Sequence, residues 1–260
     1  MSENELTQDS LSLEGRRAVV TGSSSGIGRA IALELASAGA ELVLHANRSV
    51  AEGEELRERI RARGGRCEFL QADLGAAGEA DAFFEAALDA LGSIDIWINN
   101  AGVDILTGEG ARLSYQEKLD ALIAVDLRAS ILLGRRAGAI MKEQGNGVIL
   151  NMGWDQAAVG MEGESGELFG SIKGAVMAFT KSLALGLAPE VRVNCLAPGW
   201  IRTAWAEEAP AEWQERVLRE VPLERWGTPE DIARTARFLV SDEASYISAQ
   251  VVNINGGAVT

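Results

Sequence analysis

Residues 18–28 read Ala-Val-Val-Thr-Gly-Ser-Ser-Ser-Gly-Ile-Gly, and this stretch decides the fold. The apolar start indicates a β-strand, and an amphipathic helical pattern follows the last glycine at once. Gly22 permits a tight turn, Gly26 removes a Cβ where a phosphate must approach, and Gly28 lets helix and strand pack closely. A helix N-terminus here offers free N–H groups to phosphate oxygens. The stretch therefore predicts a nucleotide-binding turn; for a bare glycine triplet, the alternative is an ordinary turn.

Outward from this turn, short apolar runs alternate with longer helical patterns. The predicted strands are Ala18–Thr21, Glu41–His45, Cys67–Gln71, Asp95–Asn99, Gly147–Met152, Val191–Leu196 and Val251–Ile254. The predicted helices are Ile27–Ala38, Val50–Arg63, Glu79–Leu91, Ser114–Glu143, Phe169–Leu187 and Pro229–Leu239. Because the strands are apolar throughout, they indicate an α/β fold with a parallel sheet covered on both faces. We expect one domain over residues 13–260, preceded by a flexible tail over residues 1–12.

Composition excludes several classes of protein. The chain has 260 residues, is 47% hydrophobic and carries a net charge of −14. Its acidity disfavours nucleic acid as a partner, and no uninterrupted apolar stretch approaches the roughly 18 residues of a membrane helix. The polar N-terminus lacks the features of a secretory signal, so we expect a cytoplasmic protein, although a disulfide between Cys67 and Cys195 stays open. The single histidine, His45, excludes a multi-histidine metal site, and we predict no metal.

Several further motifs fall in a fixed order behind the glycine turn. They are Asp73-Leu74 after the third strand, Asn99-Asn100-Ala101-Gly102 after the fourth, the run Asn194–Gly199 with Ile201 and Thr203 after the sixth, and Gly256-Gly257 near the end. Together with the TGxxxGxG pattern of Thr21–Gly28, they resemble the short-chain dehydrogenase/reductase family over about residues 14 to 257. The resemblance implies a doubly wound sheet of seven parallel strands in the order 3-2-1-4-5-6-7. It also implies a nicotinamide dinucleotide cofactor.

The cofactor half of the family pattern is complete. The resemblance assigns cofactor binding to Gly22, Ser24, Ser25, Gly26, Ile27, Gly28, Asn47, Arg48, Ser49, Asp73, Leu74, Asn100, Ala101, Gly102, Lys173, Pro198, Gly199, Ile201 and Thr203. An acidic residue after the second strand would bind the ribose 2′-hydroxyl and repel a 2′-phosphate. Residues 45–49 contain no carboxylate, and Arg48 can pair with a phosphate, which favours NADP over NAD. If Arg48 is only a solvated loop residue, the preference stays open.

The catalytic half departs from the family, which pairs a Tyr-x-x-x-Lys motif with a serine and an asparagine. Lys173 matches the lysine, which in the family holds the nicotinamide ribose; the alternative is a lysine on a helix surface. The tyrosine, serine and asparagine positions fall on Phe169, Trp154 and Asp126. A phenyl ring cannot donate a proton, and general acid catalysis is typically worth about 10²–10⁴-fold. Conventional ketone reduction is therefore expected to be slow without another proton donor.

Other groups could replace the missing donor. The segment from Trp154 to Phe169 carries four acids, namely Asp155, Glu162, Glu164 and Glu167. A buried carboxyl group there with a raised pKa, Asp155 among them, could act as an acid; the alternative is a solvated acidic loop. The family positions also bring Asp126 towards Lys173, which predicts an ion pair that fixes the lysine. We interpret the two tyrosines, Tyr115 and Tyr246, as structural, with Tyr115 remote from the pocket.

The resemblance also implies a substrate lid and an assembly. Residues 204–221 would form the lid, where Trp205 and Trp213 line an apolar wall or belong to the core. The helices Ser114–Glu143 and Phe169–Leu187 would form the contact faces of a homotetramer or dimer.

Three functions follow from these patterns. The first is an NADP-dependent oxidoreductase of a small alcohol or carbonyl substrate with a non-standard proton donor. The second is a nucleotide-binding pseudoenzyme, which acts as a sensor or scaffold. The third is a non-redox lyase or isomerase that uses the acidic segment and Lys173.

Overall fold

The computed structural model describes residues 10–204, 206 and 211–260. Within these residues, seven strands form one parallel sheet in the order β3-β2-β1-β4-β5-β6-β7. The strands are β1 Arg17–Val20, β2 Glu41–Ala46, β3 Cys67–Gln71, β4 Ile96–Asn99, β5 Gly147–Met152, β6 Val191–Pro198 and β7 Val251–Ile254. The predicted fold class and strand order are confirmed. The tail predicted over residues 1–12 falls mostly on residues 1–9, which lie outside the described residues.

Helices cover both faces of the sheet. They are α1 Gly26–Ser37, α2 Val50–Arg61, α3 Glu79–Leu91, α4 Tyr115–Leu122, α5 Ser130–Gln144, α6 Glu164–Leu187, α7 Ala211–Glu220 and α8 Pro229–Val240. Side chains of α1, α2 and α8 form one apolar core, and side chains of α3, α5 and α6 form the other. Because the central strands meet a core on both sides, their residues are mostly apolar rather than alternating.

The helix predicted over Ser114–Glu143 is present without a break, but its winding changes in the middle. Ser114 caps α4 through a capping box with Glu117. A π-helical segment, Ile123–Ala129, then leads into α5. The chain stays helical on both sides of the π-helical segment, so the sequence pattern predicted the extent of the helix but not its wider turns.

Two other helix predictions need correction. Helix α6 begins at Glu164, before the predicted start at Phe169. Its first turn is polar, so the apolar periodicity did not reveal it. Helix α7 lies in the segment predicted only as a lid.

Helix α6 is long and apolar enough, by length and composition alone, to cross a membrane. In this fold one face of it packs against the sheet. The buried residues of that face are Gly166, Leu168, Ile172, Val176, Thr180, Ala184 and Leu187. The two cysteines, Cys67 and Cys195, are both free and buried.

Candidate active site

The glycine turn joins β1 to α1 and is closely packed on one side. Gly22 has a φ of 63°, and a Cβ there would lie 2.7 Å from the Cα of Ala101. A Cβ at Gly28 would overlap the carbonyl oxygen of Gly22 and the amide of Asn100. At Gly26, by contrast, the nearest atom to a Cβ would be Thr203 Cγ2 at 3.7 Å, so the turn stays open there. The result is a backbone-lined cradle of the kind that a dinucleotide diphosphate needs.

The loop after β4 holds this turn from one side. The Asn100 side-chain amide donates to the carbonyl oxygens of Thr21 at 3.0 Å and Gly22 at 2.9 Å. In return, the Thr21 hydroxyl accepts the backbone N–H groups of Asn100 at 2.9 Å and Ala101 at 3.0 Å. Strands β1 and β4 are neighbours where the strand order changes direction, which is the usual ligand crevice of such a sheet.

His45 holds the turn from the other side, and sequence reasoning missed this role. Its side chain is 2% exposed, and its Nδ1 accepts the backbone N–H of Gly22 at 3.0 Å. Its Nε2 lies 3.0 Å from the carbonyl oxygen of Ala72, just after β3. Burial lowers the pKa of His45 to about 4, partly offset by the bond to Ala72 and by the charge of Asp73. In the sequence, the sign of this role was a histidine at the end of an otherwise apolar strand.

The predicted adenosine-side residues lie at the ends of β2 and β3. Arg48 is 83% exposed, and its guanidinium pairs with Glu109 at 3.2 Å across the surface. Asn47 is exposed beside it, and Ser49 is half-buried. Asp73 turns its carboxylate onto the N–H of Gly75 at 3.0 Å.

Buried amides join the strands behind the site. The Asn99 side chain accepts from the Trp97 indole at 2.7 Å and donates to the Asn151 side chain at 2.8 Å. Asn151 donates in turn to the Thr180 hydroxyl of α6 at 2.9 Å. Because buried polar groups with all their partners act as rigid links, this chain fixes α6 relative to β4 and β5.

The predicted ion pair between Asp126 and Lys173 is present. Lys173 Nζ lies 2.9 Å from Asp126 Oδ2, and the side chains are 12% and 2% exposed. Asp126 lies in the π-helical segment, and its other oxygen accepts the Val103 N–H at 2.9 Å. A Cβ at Gly102 would lie 2.9 Å from Asp126 Oδ2. The loop after β4 therefore contacts the glycine turn through Asn100 and this ion pair through Gly102 and Val103.

Aromatic rings stand at the two positions that the sequence resemblance assigns to hydroxyl groups. The rings of Trp154 and Phe169 meet edge to face, with centroids 6.3 Å apart. Both side chains are half-buried. Phe169 also packs against a small apolar cluster with Leu122 and Ile172. Neither ring can exchange a proton with a substrate at this place.

Asp155 is the buried member of the predicted acidic segment. Its carboxylate is 0% exposed, accepts the Asn255 amide at 3.1 Å and accepts the Gln156 N–H at 2.8 Å. Burial raises the pKa of Asp155, although both hydrogen bonds lower it. A Cβ at Gly199 would lie 3.0 Å from its Oδ2, so Asp155 lies directly against the turn after β6. Sequence reasoning missed its partner Asn255.

The other acids of the segment are exposed. Glu162 faces solvent, Glu164 pairs with Lys118 at 2.7 Å, and Glu167 accepts from the Tyr115 hydroxyl at 3.4 Å. This contact places the Tyr115 phenol against α6, the helix that carries Phe169.

The second tyrosine and the lid prediction have different outcomes. Tyr246, which we interpreted as structural, is fully exposed. Trp213 of α7 packs against Trp200, with ring centroids 5.4 Å apart, while Arg216 lies over both rings. Trp205, the other predicted lid tryptophan, lies outside the described residues. Among the residues that are described, no group of three or more His, Cys, Asp or Glu could hold a metal ion.

Comparison with known proteins identifies relatives over nearly the whole chain. A family model described as "Enoyl-(Acyl carrier protein) reductase" matches residues 22–259. A 3-oxoacyl-(acyl-carrier-protein) reductase, FabG, of Staphylococcus aureus is 34% identical over 244 residues, which cover 93% of this chain and 97% of the relative. A cyclohexanol dehydrogenase of Rhodococcus sp. (strain TK6) is 36% identical and covers 96% of this chain and 98% of the relative.

Solved structures also resemble this chain over nearly its whole length. A putative short-chain alcohol dehydrogenase from Sinorhizobium meliloti superposes with a TM-score of 0.85 at 33% identity, covering 95% of this chain and 98% of that one. A 7α-hydroxysteroid dehydrogenase, complexed with NADH and 7-oxo glycochenodeoxycholic acid, has a TM-score of 0.88 at 29% identity, covering 97% and 98%.

Proposed function

This chain belongs to the short-chain dehydrogenase/reductase family of oxidoreductases, and on that premise we propose that it is an NADP-dependent oxidoreductase of a small alcohol or carbonyl compound. The observation that carries the proposal is the continuous loop after β4. It braces the glycine turn through Asn100 and contacts the Asp126–Lys173 pair through Gly102 and Val103. One rigid segment thus links the proposed diphosphate cradle to the remaining ionisable groups of the catalytic end.

The cofactor-binding residues fit a dinucleotide along the carboxyl edge of the sheet. A bound NADP would supply or accept a hydride at its nicotinamide ring. The cradle from Gly22 to Gly28 would bind the diphosphate through backbone N–H groups. Asp73 and Leu74 would bind the adenine. The turn of Pro198 and Gly199, followed by Ile201 and Thr203, would hold the nicotinamide end.

Arg48 supports the preference for NADP. Residues 46–49 offer a guanidinium, an amide and a hydroxyl but no carboxylate to repel a 2′-phosphate. The pair between Arg48 and Glu109 is almost fully exposed, so it contributes little and leaves the guanidinium able to turn to a phosphate.

Lys173 is the proposed non-standard proton donor. Its ammonium has three N–H donors, and the ion pair with Asp126 uses one of them. Ammonium and phenol groups are acids of similar strength in water, so Lys173 can take over the chemical task of a tyrosine. Asp155 is the weaker candidate because its carboxyl group is fully covered and already bound by Asn255 and Gln156.

The surroundings favour an apolar substrate. Trp154 and Phe169 form an aromatic pair at the catalytic end, and Trp213 of the predicted lid packs against Trp200, which follows the Gly199 turn. Aromatic surfaces of this kind bind the hydrocarbon part of a small carbonyl compound.

The contact between Trp154 and Phe169 also favours a second candidate function. Two rings that pack on each other fill the positions of both missing hydroxyls, as expected of a nucleotide-binding pseudoenzyme that senses or scaffolds. The lyase or isomerase alternative has less support, because three of the four acids of the acidic segment are exposed.

Self-association and location complete the proposal. Leu132 of α5 and Leu185 of α6 are exposed on the helices that the family uses for assembly, which supports a homodimer or homotetramer. The two free, buried cysteines agree with a cytoplasmic location.

Two measurements test the function. Fluorescence titration with NADPH and NADH should give saturable binding with a preference for NADPH; binding of neither would reject both the oxidoreductase and the nucleotide sensor. A panel of apolar ketones and alcohols should then give slow, cofactor-dependent turnover. Lys173→Met should abolish this turnover, whereas Lys181→Met, on an exposed part of the same helix, should not. Native protein that binds NADPH yet shows no turnover would favour the pseudoenzyme.

The role of Asp126 has its own test. Asp126→Asn removes the charge partner of Lys173 but keeps an acceptor for the Val103 N–H. We expect weaker NADPH binding, because the lysine loses the charge that holds it in place. Unchanged affinity would show that the ion pair does not position the lysine.

A further inference from the structure

Both ring nitrogens of His45 contact backbone atoms, and these atoms belong to two different loops. It stands in β2, the strand next to β1 in the sheet. Nδ1 lies 3.0 Å from the Gly22 nitrogen, in the glycine turn, and Nε2 lies 3.0 Å from the Ala72 oxygen, after β3. One imidazole therefore spans the carboxyl ends of β1, β2 and β3.

These two contacts fix the protonation of the ring. The backbone nitrogen of Gly22 can only donate, so Nδ1 must be the bare acceptor. Nε2 then carries the hydrogen and donates it to Ala72. A doubly protonated ring would place N–H against N–H at Gly22. The low pKa that burial gives His45 keeps the ring neutral at physiological pH.

The main chain of His45 also forms hydrogen bonds with Ser23, the next residue of the turn. The His45 N–H donates to the Ser23 hydroxyl at 2.9 Å, and the Ser23 N–H donates to the His45 carbonyl at 2.9 Å. Asn100 meanwhile binds the Thr21 and Gly22 carbonyls from the β4 side. The peptide between Thr21 and Gly22 is thus held at its oxygen by Asn100 and at its N–H by His45.

From this geometry we infer that His45 is a positioning residue for the dinucleotide diphosphate. Its neutral imidazole sets the direction of the Gly22 peptide and couples the turn to the residues after β3 proposed for the adenine. The inference rests on the proposed dinucleotide binding, and it assigns the lone histidine of the chain to the cofactor rather than to proton transfer.

Two amide variants separate the two ring contacts. In His45→Asn the side-chain oxygen can reach the position of Nδ1 and accept from Gly22, but it does not reach Ala72. In His45→Gln the longer amide can reach the position of Nε2 and donate to Ala72, but it offers no acceptor at Nδ1. Both variants lose the ring, and Gln keeps one methylene group more than Asn, so loss of packing alone would favour His45→Gln.

The first readout is NADPH affinity by fluorescence titration. Loss of one buried hydrogen bond predicts about 10-fold weaker binding for His45→Gln, whereas His45→Asn stays within about 3-fold of the native protein. Equal affinity of the two variants, or the reverse order, would overturn the inference.

The second readout needs no cofactor. Without NADPH, the Gly22 amide should keep its protection from hydrogen exchange in His45→Asn and lose it in His45→Gln. Equal protection in both would contradict the proposed hold of His45 on the Gly22 peptide. If the native protein binds neither NADPH nor NADH, the proposed function fails, and this exchange experiment still decides whether His45 holds the Gly22 peptide.

A third readout uses the native protein, in case neither variant folds. Nitrogen-15 chemical shifts of the imidazole should show a bare Nδ1 and a protonated Nε2 at pH 7. A proton on Nδ1 would rule out the bond from Gly22 and, with it, the proposed role.

Discussion

At the carboxyl edge of the sheet, the glycine turn and the region around Phe169 are held in different ways. The turn is fixed largely through backbone atoms, since Gly28 has no room for a Cβ and Asn100 binds two carbonyl oxygens. Around Phe169 the contacts are between side chains, through the ring of Trp154 and the ion pair of Lys173. Side chains can change while the fold stays intact, whereas a backbone cradle admits few substitutions. On the proposed assignment of residues, this difference allows the catalytic end to depart from the family pattern while the cofactor end keeps it.

The ion pair adds an electrostatic side to the comparison. In the family, an asparagine stands opposite the lysine and a tyrosine uses the lysine's charge. Here Asp126 is nearly fully buried against Lys173, so a carboxylate balances the ammonium where no phenol is present. On the proposed assignment, the phenyl ring of Phe169 and the carboxylate of Asp126 therefore form one consistent departure from the family pattern.

Restoring both hydroxyls should produce the largest effect. Phe169→Tyr with Trp154→Ser returns a proton donor and a carbonyl partner, so ketone reduction with NADPH should rise roughly 10²–10⁴-fold. Phe238→Tyr, which adds a phenol at an exposed position on α8, serves as the control and should change nothing. A double variant that folds, binds NADPH and is no faster than the native protein would break the proposed contrast between the two ends.

The buried histidine of the turn predicts a pH dependence of stability. Its pKa falls from 6.5 to about 4 on folding, so the folded state favours the neutral ring. This contribution is fully present above pH 6.5 and is lost as the pH falls towards 4; at about 1.4 kcal/mol per unit it amounts to about 3 kcal/mol.

Urea unfolding of the native protein and of His45→Asn, at several pH values, checks this. The carboxylates titrate in both proteins and cancel in the difference, and Asp73 is the charged group that acts on the ring. If the free energies of unfolding of the two proteins change in parallel between pH 4 and 6.5, His45 is not held neutral in the folded state.

A methyl group inside the cradle should weaken NADPH binding about 100-fold. In Gly28→Ala the Cβ overlaps the Gly22 carbonyl oxygen, and overpacking of this kind costs about 1–3 kcal/mol. Gly174→Ala in α6 is the control, because a Cβ there meets nothing within 4 Å. Equal affinity of the two variants would mean that the diphosphate lies elsewhere.

The smallest predicted effect concerns the choice of cofactor. Arg48→Ala should weaken NADPH binding about 10-fold through loss of one charge-assisted hydrogen bond, while NADH binding stays the same. NADH is the internal control for changes in the loop. A parallel loss for both cofactors would assign Arg48 to the fold of the loop and leave specificity to other residues.

The cofactor turn was predictable because its physics is local. Three glycines lie between a strand and a helix, at Gly22, Gly26 and Gly28, and they indicate the backbone conformation of the turn without reference to distant residues. Strand order and the pairing of Asp126 with Lys173 were predictable from family positions. These features depend on residue identity at fixed spacing.

What the sequence did not reveal depends on distant or main-chain partners. His45 binds a backbone N–H and a backbone carbonyl, and backbone atoms leave no mark in a sequence. Asp155 meets Asn255, a hundred residues away. The π-helical segment that holds Asp126 lies between two α-helices in one unbroken helical run, so the sequence pattern did not reveal its wider turns.

A crystal structure of the native protein with NADPH tests the central claim most directly. The account predicts the diphosphate against the backbone of residues 22–28, and the rings of Phe169 and Trp154, with the Lys173 ammonium, around the nicotinamide. A diphosphate bound away from the glycine turn would contradict the account. So would a tyrosine or serine hydroxyl at the position assigned to Phe169.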